Sequence, residues 1–261
     1  MPTVLALMAH PDDIEITCAG TLVLLRRAGW DVHMATMTAG DLGSSTLGPE
    51  AIAEVRRGEA AASAALLEAP YTCLEYRDLC VTCDVPSKRH VSAFLRTVRP
   101  DLLVTPHPRD YMEDHIQTGV LAREAAFVSP VPNWRTSLDG RDVPPCDRLP
   151  TVLYADPVDH VDQLGDRVDG GYVVDITEVI DEKERMLATH DSQRSWLRDH
   201  HGEDEYLNWM RRCGRDRARD FGKKRVKYAE GFTLHRAHGF PVEDPLTPAL
   251  GRRRVRTMRR R

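Results

Sequence analysis

Aromatic residues make up only 6% of this chain and do not alternate with basic ones, so no stacking platform for single-stranded nucleic acid is laid out in it. No apolar run approaches the roughly 20 residues needed to span a bilayer. No basic region precedes the apolar stretch within Met1 to Met8, which argues against a secretory signal and points to the cytoplasm. The six cysteines (Cys18, Cys73, Cys80, Cys83, Cys146, Cys213) have no framework spacing. Cys80 and Cys83 form a CxxC, but no second CxxC or nearby HxxxH completes a structural zinc site. The pair does not open a helix after a strand either, as a redox pair would, so reduced and partly buried thiols are expected. A GxGxxG after the first strand is also missing. Only the isolated Gly20 stands there, which excludes a dinucleotide-binding turn.

What is present is an ordinary globular composition. Of 261 residues, 41% are hydrophobic and 29% charged, which rules out wholesale disorder. Folding a chain of this length buries roughly 70–75% of its unfolded surface, so neither metal nor disulfide is needed merely to hold a core. The net charge of -4 hides an asymmetry, because seven of the last ten residues are arginine (Arg252, Arg253, Arg254, Arg256, Arg259, Arg260, Arg261). The rest has 29 basic and 40 acidic residues, a body near -11. Such a tail can bind polyanions, fold back on the acidic body or remain solvated.

Thr3 to Ala9 is a continuous apolar run of strand length, the pattern of a strand buried on both faces. It stops at His10-Pro11-Asp12-Asp13, and helical periodicity follows through Ile16, Leu22 and Leu25 to Gly29. Strands are expected at Asp31 to Thr38, Cys73 to Tyr76 and Leu102 to Thr105, with helices at Pro49 to Leu67 and Pro86 to Val98. That alternation is the signature of an α/β fold, Rossmann-like, with a mostly parallel sheet and helices on both faces. The second half reads as a loop from Ser129 to Pro150 and strands at Thr151 to Ala155 and Tyr172 to Ile176. Thr177 would cap a helix from Glu178 to about Thr189, and a charged helix would cover Ser192 to Phe221. One domain over residues 1–240 and a C-terminal extension over 241–261 are the expected organisation.

In an open parallel sheet, ligands gather at the carboxyl ends of the strands. The most unusual polar clusters fall there: His10-Pro11-Asp12-Asp13 after the first strand, and the run from His107 to His115 after the Leu102 to Thr105 strand. Imidazole and carboxylate from two loops suit zinc or another divalent ion, and a catalytic site needs three protein ligands and an open position. His10, Asp13 and His115 can supply the three. Asp12 can stay off the metal to accept a proton from water. The competing reading is a helix start in which Asp12 and Asp13 cap free N–H groups.

Ala9-His10-Pro11-Asp12-Asp13, followed by Gly20-Thr21-Leu22, resembles the LmbE-like or PIG-L-like zinc-dependent N-deacetylases of N-acetylglucosaminyl compounds. The resemblance continues through Gly40 to Ser45, Arg56-Arg57-Gly58-Glu59, Asp114-His115, His190-Asp191-Ser192-Gln193 and Ala229-Glu230-Gly231-Phe232. It implies an LmbE-like fold, zinc on His10, Asp13 and His115, and Asp12 as general base. Arg56 matches an arginine near the substrate, with Glu59 orienting it or forming a mere surface pair. Ser44 and Ser45 match a sugar-side loop or a plain Gly/Ser connection. Many members read His-Pro-Asp-His where this chain reads Met112-Glu113-Asp114-His115, and the first histidine of that motif helps stabilise the tetrahedral intermediate. Methionine is no such donor. His107, Tyr111 and His190 are the candidates to replace it, His107 first by position, and Asp114 is a further residue expected beside the ligands.

The resemblance thus implies hydrolysis of an N-acetyl or other N-acyl group from an amino sugar or glycoconjugate. The partner would be that small molecule, with no nucleic acid or membrane span, and homo-oligomerisation left open. A noncatalytic metal- or sugar-binding relative, a deacylase of a non-sugar amide and a nucleic-acid-associated protein using its arginine tail are the alternatives.

Overall fold

The computed structural model describes residues 1–194 and 205–258. Eight strands form one sheet in the order β10-β8-β9-β7-β4-β1-β2-β3. They are β1 Thr3–Met8, β2 Asp31–Thr38, β3 Tyr71–Tyr76, β4 Leu102–Pro106, β7 Thr151–Ala155, β8 Tyr172–Asp175, β9 Ala229–Leu234 and β10 Val255–Thr257; β5 Thr136–Leu138 and β6 Arg141–Val143 make a separate hairpin. From β3 to β7 all neighbours are parallel, whereas β9 runs antiparallel to both β7 and β8. The expected mostly parallel α/β sheet is therefore present.

The period-two alternation of β1 divides the core. Val4, Ala6 and Met8 face Leu22 and Leu25 of α2 (Ala19–Arg27) and Met186 and Leu187 of α6 (Ile180–Leu187). Leu5 and Leu7 face Val91 and Phe94 of α4 (Val85–Val98) and Leu121 and Ala125 of α5 (Glu113–Val128). Asp84 caps α4 by accepting from the Ser87 N–H at 2.8 Å. The helix expected at Pro49 is α3 (Pro49–Ala65), and α1 (Asp13–Thr17) precedes α2.

Strand order places the functional end. The chain lays down β1, β2 and β3 in one direction, then crosses back to set β4 on the other side of β1. Connections leave β1 and β4 toward opposite sides, and the resulting crevice at their carboxyl ends is where open α/β sheets bind ligands. Helix α5, which the sequence did not suggest, packs tightly there. A Cβ at Gly119 would lie 2.4 Å from the Pro106 carbonyl oxygen, so glycine permits the approach that brings the first turn of α5 over the end of β1.

Two other motifs prove to be one structural unit. Buried Glu230 on β9 accepts from the Gly20 and Thr21 N–H groups at 2.9 and 2.7 Å, from the Thr21 hydroxyl at 2.6 Å and from Lys183 at 2.6 Å. A buried carboxylate is tolerated where its lone pairs are filled in this way. Thr177 does not cap the following helix. Its hydroxyl accepts from the Lys227 and Tyr228 N–H groups, and residues Thr177–Val179 form a 3-10 turn ahead of α6. The charged helix is α7 (Glu205–Phe221), and residues 195–204 of the expected span lie outside the described residues.

The arginine-rich segment contributes an edge strand. β10 pairs antiparallel with β8, Val255 is buried, Arg254 pairs with Glu178 at 2.6 Å, and Arg256 donates to the Phe221 carbonyl. The extension set apart at residue 240 thus continues the same sheet. Deleting residues 252–261 should lower Tm by several degrees: burying one valine is worth about 1.5–3 kcal/mol, and each kcal/mol shifts Tm by about 2–4 °C at this size. A thermal melt of the truncated chain checks this, and an unchanged Tm would make β10 a passive tether.

Candidate active site and metal centre

His10 lies two residues beyond β1, and Asp13 opens α1. His115 sits in the first turn of α5. One donor atom from each of the three comes within 4.8 Å of the others, and all three side chains are buried. His10 Nδ1 is 3.3 Å from His115 Nε2, and His115 Nε2 is 3.3 Å from Asp13 Oδ1. Asp13 Oδ2 accepts the His10 backbone N–H at 2.8 Å, which ties the loop to itself.

Behind each imidazole stands a carboxylate. Asp114 Oδ2 is 3.1 Å from His10 Nε2, and Asp110 Oδ1 is 3.0 Å from His115 Nδ1. Such a carboxylate takes the N–H of the outer nitrogen and turns the lone pair of the other inward. Asp114 is itself held by the Leu79 and Val81 N–H groups at 2.7 and 3.3 Å. Burial alone lowers the His10 imidazole, but Asp114 and Asp13 more than offset it and push it up to about 9. His115 is likewise lowered by burial yet raised well above its ordinary value by Asp13 and Asp110. Burial raises Asp13, and the two histidines overcome this and hold it well below the usual carboxylate range. The inward lone pairs of two imidazoles and one carboxylate fit a divalent ion.

Asp12 stands apart from this trio. Its backbone adopts φ +94°, a left-handed conformation that disfavours any residue with a Cβ and is typical of functional sites. Two donors reach the same oxygen: the Tyr206 hydroxyl donates to Oδ2 at 2.5 Å, and Arg56 Nη2 lies 3.4 Å from it while also donating to the Pro11 carbonyl at 3.0 Å. Oδ1 has no donor among the described residues. Burial raises the Asp12 carboxyl, with Arg56 opposing it. Burial and the Asp12 charge push the Tyr206 phenol well above its ordinary value, so it remains a donor. Gly40, at φ +75°, makes room for Arg56: a Cβ there would lie 2.4 Å from Arg56 Nη1.

These residues line a cleft of about 330 Å³ with Leu42, Gly43, Asp78, Leu79, Tyr111, Met112 and Trp209. Of the replacements considered for the missing histidine, Tyr111 lines the cleft, its ring edge-on to His115 at 5.3 Å between centroids. His107 does not. Its Nδ1 accepts the Arg109 N–H at 3.0 Å, and its ring packs on Tyr154. His190 is fully buried behind the site, 3.4 Å from Glu15. Ser44 and Ser45 also fall outside the lining, the Ser44 hydroxyl accepting from the Thr46 and Leu47 N–H groups within its own turn. Glu59 does not orient Arg56. It accepts from the Ser192 N–H and hydroxyl at 2.7 and 2.6 Å, and Gln193 donates to the Gly43 carbonyl at 3.2 Å.

Sequence reasoning missed Tyr206, Trp209, Asp110 and Asp78. Asp78 is buried and lines the cleft. Its Oδ2 accepts the Leu42 N–H at 3.1 Å, while Oδ1 has no partner among the described residues.

The fold and site together define an α/β protein with a His-Asp-His centre and a further carboxylate, held by Tyr206 and Arg56, at the switch point of the sheet. A family model for PIG-L, GlcNAc-PI de-N-acetylase, matches residues 5–126, the part of the chain that carries the first of the motifs on which the resemblance rests. A diacetylchitobiose deacetylase of Thermococcus kodakarensis is 27% identical over 198 residues, 73% of this chain and 69% of that one. The structure of N,N'-diacetylchitobiose deacetylase from Pyrococcus horikoshii, bound to its inhibitor MPG, is 27% identical and matches with a TM-score of 0.74 over 89% of this chain and 83% of its own. The 4-carboxy-2-hydroxymuconate hydratase of Pseudomonas putida matches with a TM-score of 0.75 at 20% identity, over 94% of this chain and 99% of its own. That last likeness is of fold alone, and it shows that this fold is not tied to one reaction.

Proposed function

We propose that the protein removes an N-acetyl, or another N-acyl, group from an amino sugar or glycoconjugate, as a metal-dependent amide hydrolase. The observation that carries this reading is the convergence of His10, Asp13 and His115 at a cleft that Asp12 also lines, one of its oxygens having no donor among the described residues. The deacetylase relatives, two of them named for diacetylchitobiose, support an N-acetylated sugar. Two imidazoles and a carboxylate with an open side favour zinc over magnesium or calcium. Bound there, such an ion supplies Lewis acidity toward an acyl carbonyl and lowers the pKa of a water.

The chain's own groups do the rest. Asp12 accepts the proton of the attacking water through Oδ1 and passes it to the departing nitrogen, so that the C–N bond breaks to a neutral amine. Tyr206 and Arg56 hold the other oxygen and fix the direction of Oδ1. Tyr111 donates to the acyl oxygen as it gains charge, in the place left open by Met112. Arg56 and the unpaired oxygen of Asp78 offer a donor and an acceptor to sugar hydroxyls. The exposed free thiol of Cys80 suits a reducing compartment such as the cytoplasm.

A screen of N-acetylated sugars for released acetate, with metal-stripped and metal-restored protein, tests the reading. It fails if no substrate is turned over or if stripping changes nothing. Tyr111→Phe should lower kcat by about 10²-fold while metal content stays the same, and Met112→His should recover part of that loss. Normal kcat in Tyr111→Phe would remove the tyrosine from the reaction.

A further inference from the structure

The turn that leads into β10 gathers cations without acids to meet them. Gly251, at φ +82°, opens the turn, and the Arg254 N–H closes it on the Gly251 carbonyl at 3.0 Å. Arg252 and Arg253 therefore stand side by side at an exposed tip. Arg254 pairs with Glu178 at 2.6 Å, and Arg225 with Asp175 at 2.9 Å. Arg252, Arg253, Arg256 and Lys223, by contrast, have no acidic partner among the described residues. The chain has 40 acidic residues, so composition does not force this. Adjacent guanidinium groups repel one another, and a bound anion relieves that repulsion.

Two hollows share Arg252. One, of about 530 Å³, lies between the loop after α7 and β10, and Lys223, Arg252 and Arg256 line it. The other, of about 570 Å³, is lined by Arg225, Arg252, Arg253 and Arg254. The backbone is shaped to place one of these cations. A Cβ at Gly222, itself at φ +68°, would lie 2.4 Å from Arg256 Nη1, so glycine lets that guanidinium rest against the end of α7, where it donates to the Phe221 carbonyl. The acids that line the hollows are committed elsewhere. Asp175 and Glu178 hold the pairs above, and Asp244 accepts from the Leu246 and Thr247 N–H groups at 2.9 and 3.0 Å. A guanidinium offers a planar fork of donors that matches phosphoryl oxygens, and a phosphomonoester brings nearly two charges where a carboxylate brings one.

We infer that the two hollows form a binding site for a ligand with more than one phosphoryl group, one group to each hollow and Arg252 between them. A free bisphosphate and the headgroups of an anionic bilayer share that chemistry. Three strands, β8, β9 and β7, separate β10 from β4, so the site is apart from the catalytic cleft and stands independently of the proposed deacetylation.

Calorimetry on the full chain tests this with fructose bisphosphate, fructose monophosphate and citrate at physiological ionic strength. The bisphosphate should bind about tenfold more tightly than either of the others, the worth of one added charge-assisted hydrogen bond. Arg252→Gln should weaken it by about tenfold on the same count. Arg135→Gln removes an equal charge from an exposed position beside the β5–β6 hairpin and should leave the affinity unchanged. Flotation with phosphatidylcholine vesicles, with and without phosphatidic acid, separates the two sources. Capture by the acidic vesicles alone, lost in Arg252→Gln, assigns the phosphoryl groups to a bilayer; no capture beside tight bisphosphate binding assigns them to a free ligand. Absent bisphosphate binding, citrate bound as tightly as the bisphosphate, or an equal loss in Arg135→Gln would each overturn the site.

Discussion

Asp12→Asn should keep its metal and lose on the order of 10²–10⁴-fold in kcat, the range general-base catalysis supplies. The change is nearly isosteric. The Tyr206 hydroxyl and Arg56 can still donate to an amide oxygen at the Oδ2 position, so the loop that carries His10 and Asp13 has no reason to move. What disappears is the acceptor at Oδ1, where an NH2 group would now meet the water. Elemental analysis together with acetate release checks both halves of the expectation. Near-normal kcat would transfer the proton-accepting role to another residue. The same logic makes Tyr206→Phe a smaller perturbation, because the phenol only holds the base in place.

The second large effect is loss of the ion itself. His10→Ala, Asp13→Ala and His115→Ala should each reduce metal retention and abolish most turnover, as should a chelator acting on the parent, with restoration on adding the ion back. Full occupancy in all three variants would sink the ligand assignment. Uptake should also depend on pH in a defined direction. The His10 imidazole is pushed up to about 9, so below that pH an ion must displace its proton. Apparent affinity should therefore rise with pH up to at least about 9, by up to about tenfold per unit for each proton released. An affinity that is flat between pH 6 and 8 would contradict the hydrogen-bonded arrangement of His10 with Asp114 and Asp13.

The parts of the site that were legible in the sequence are those written contiguously. His10 to Asp13 and Asp114-His115 each follow an apolar strand, and strand ends are where such chemistry collects. The residues that hold them were not legible for a simple reason. Tyr206 meets Asp12 from 194 residues away, and Asp78 reaches the cleft from the loop after β3. Asp110 lies within a recognised polar run, but nothing in its spacing told that it backs His115. Helix α5 escaped because its buried face is built from Gly119, Ala122, Ala125 and Ala126, small residues that give little apolar periodicity. The antiparallel strand β10 has only 3 residues and reads as a charged tail because its pairing partner, β8, is remote in sequence. His107 was favoured by its place directly after β4, yet the tight Arg109 turn draws its ring away from the cleft.

The edge strand β10 has a consequence for how copies of this molecule meet. A sheet that ends in an unpaired strand offers a template on which another chain can add, the first step toward edge-to-edge aggregation. Here the last strand carries Arg256 and follows Arg252, Arg253 and Arg254. Two molecules approaching through these edges would bring arginines alongside arginines, and each close pair in water repels by about 1 kcal/mol. The short β10 closes the sheet to its own kind, and raising ionic strength should weaken that protection, since exposed like charges are screened within about 10 Å at 0.1 M salt.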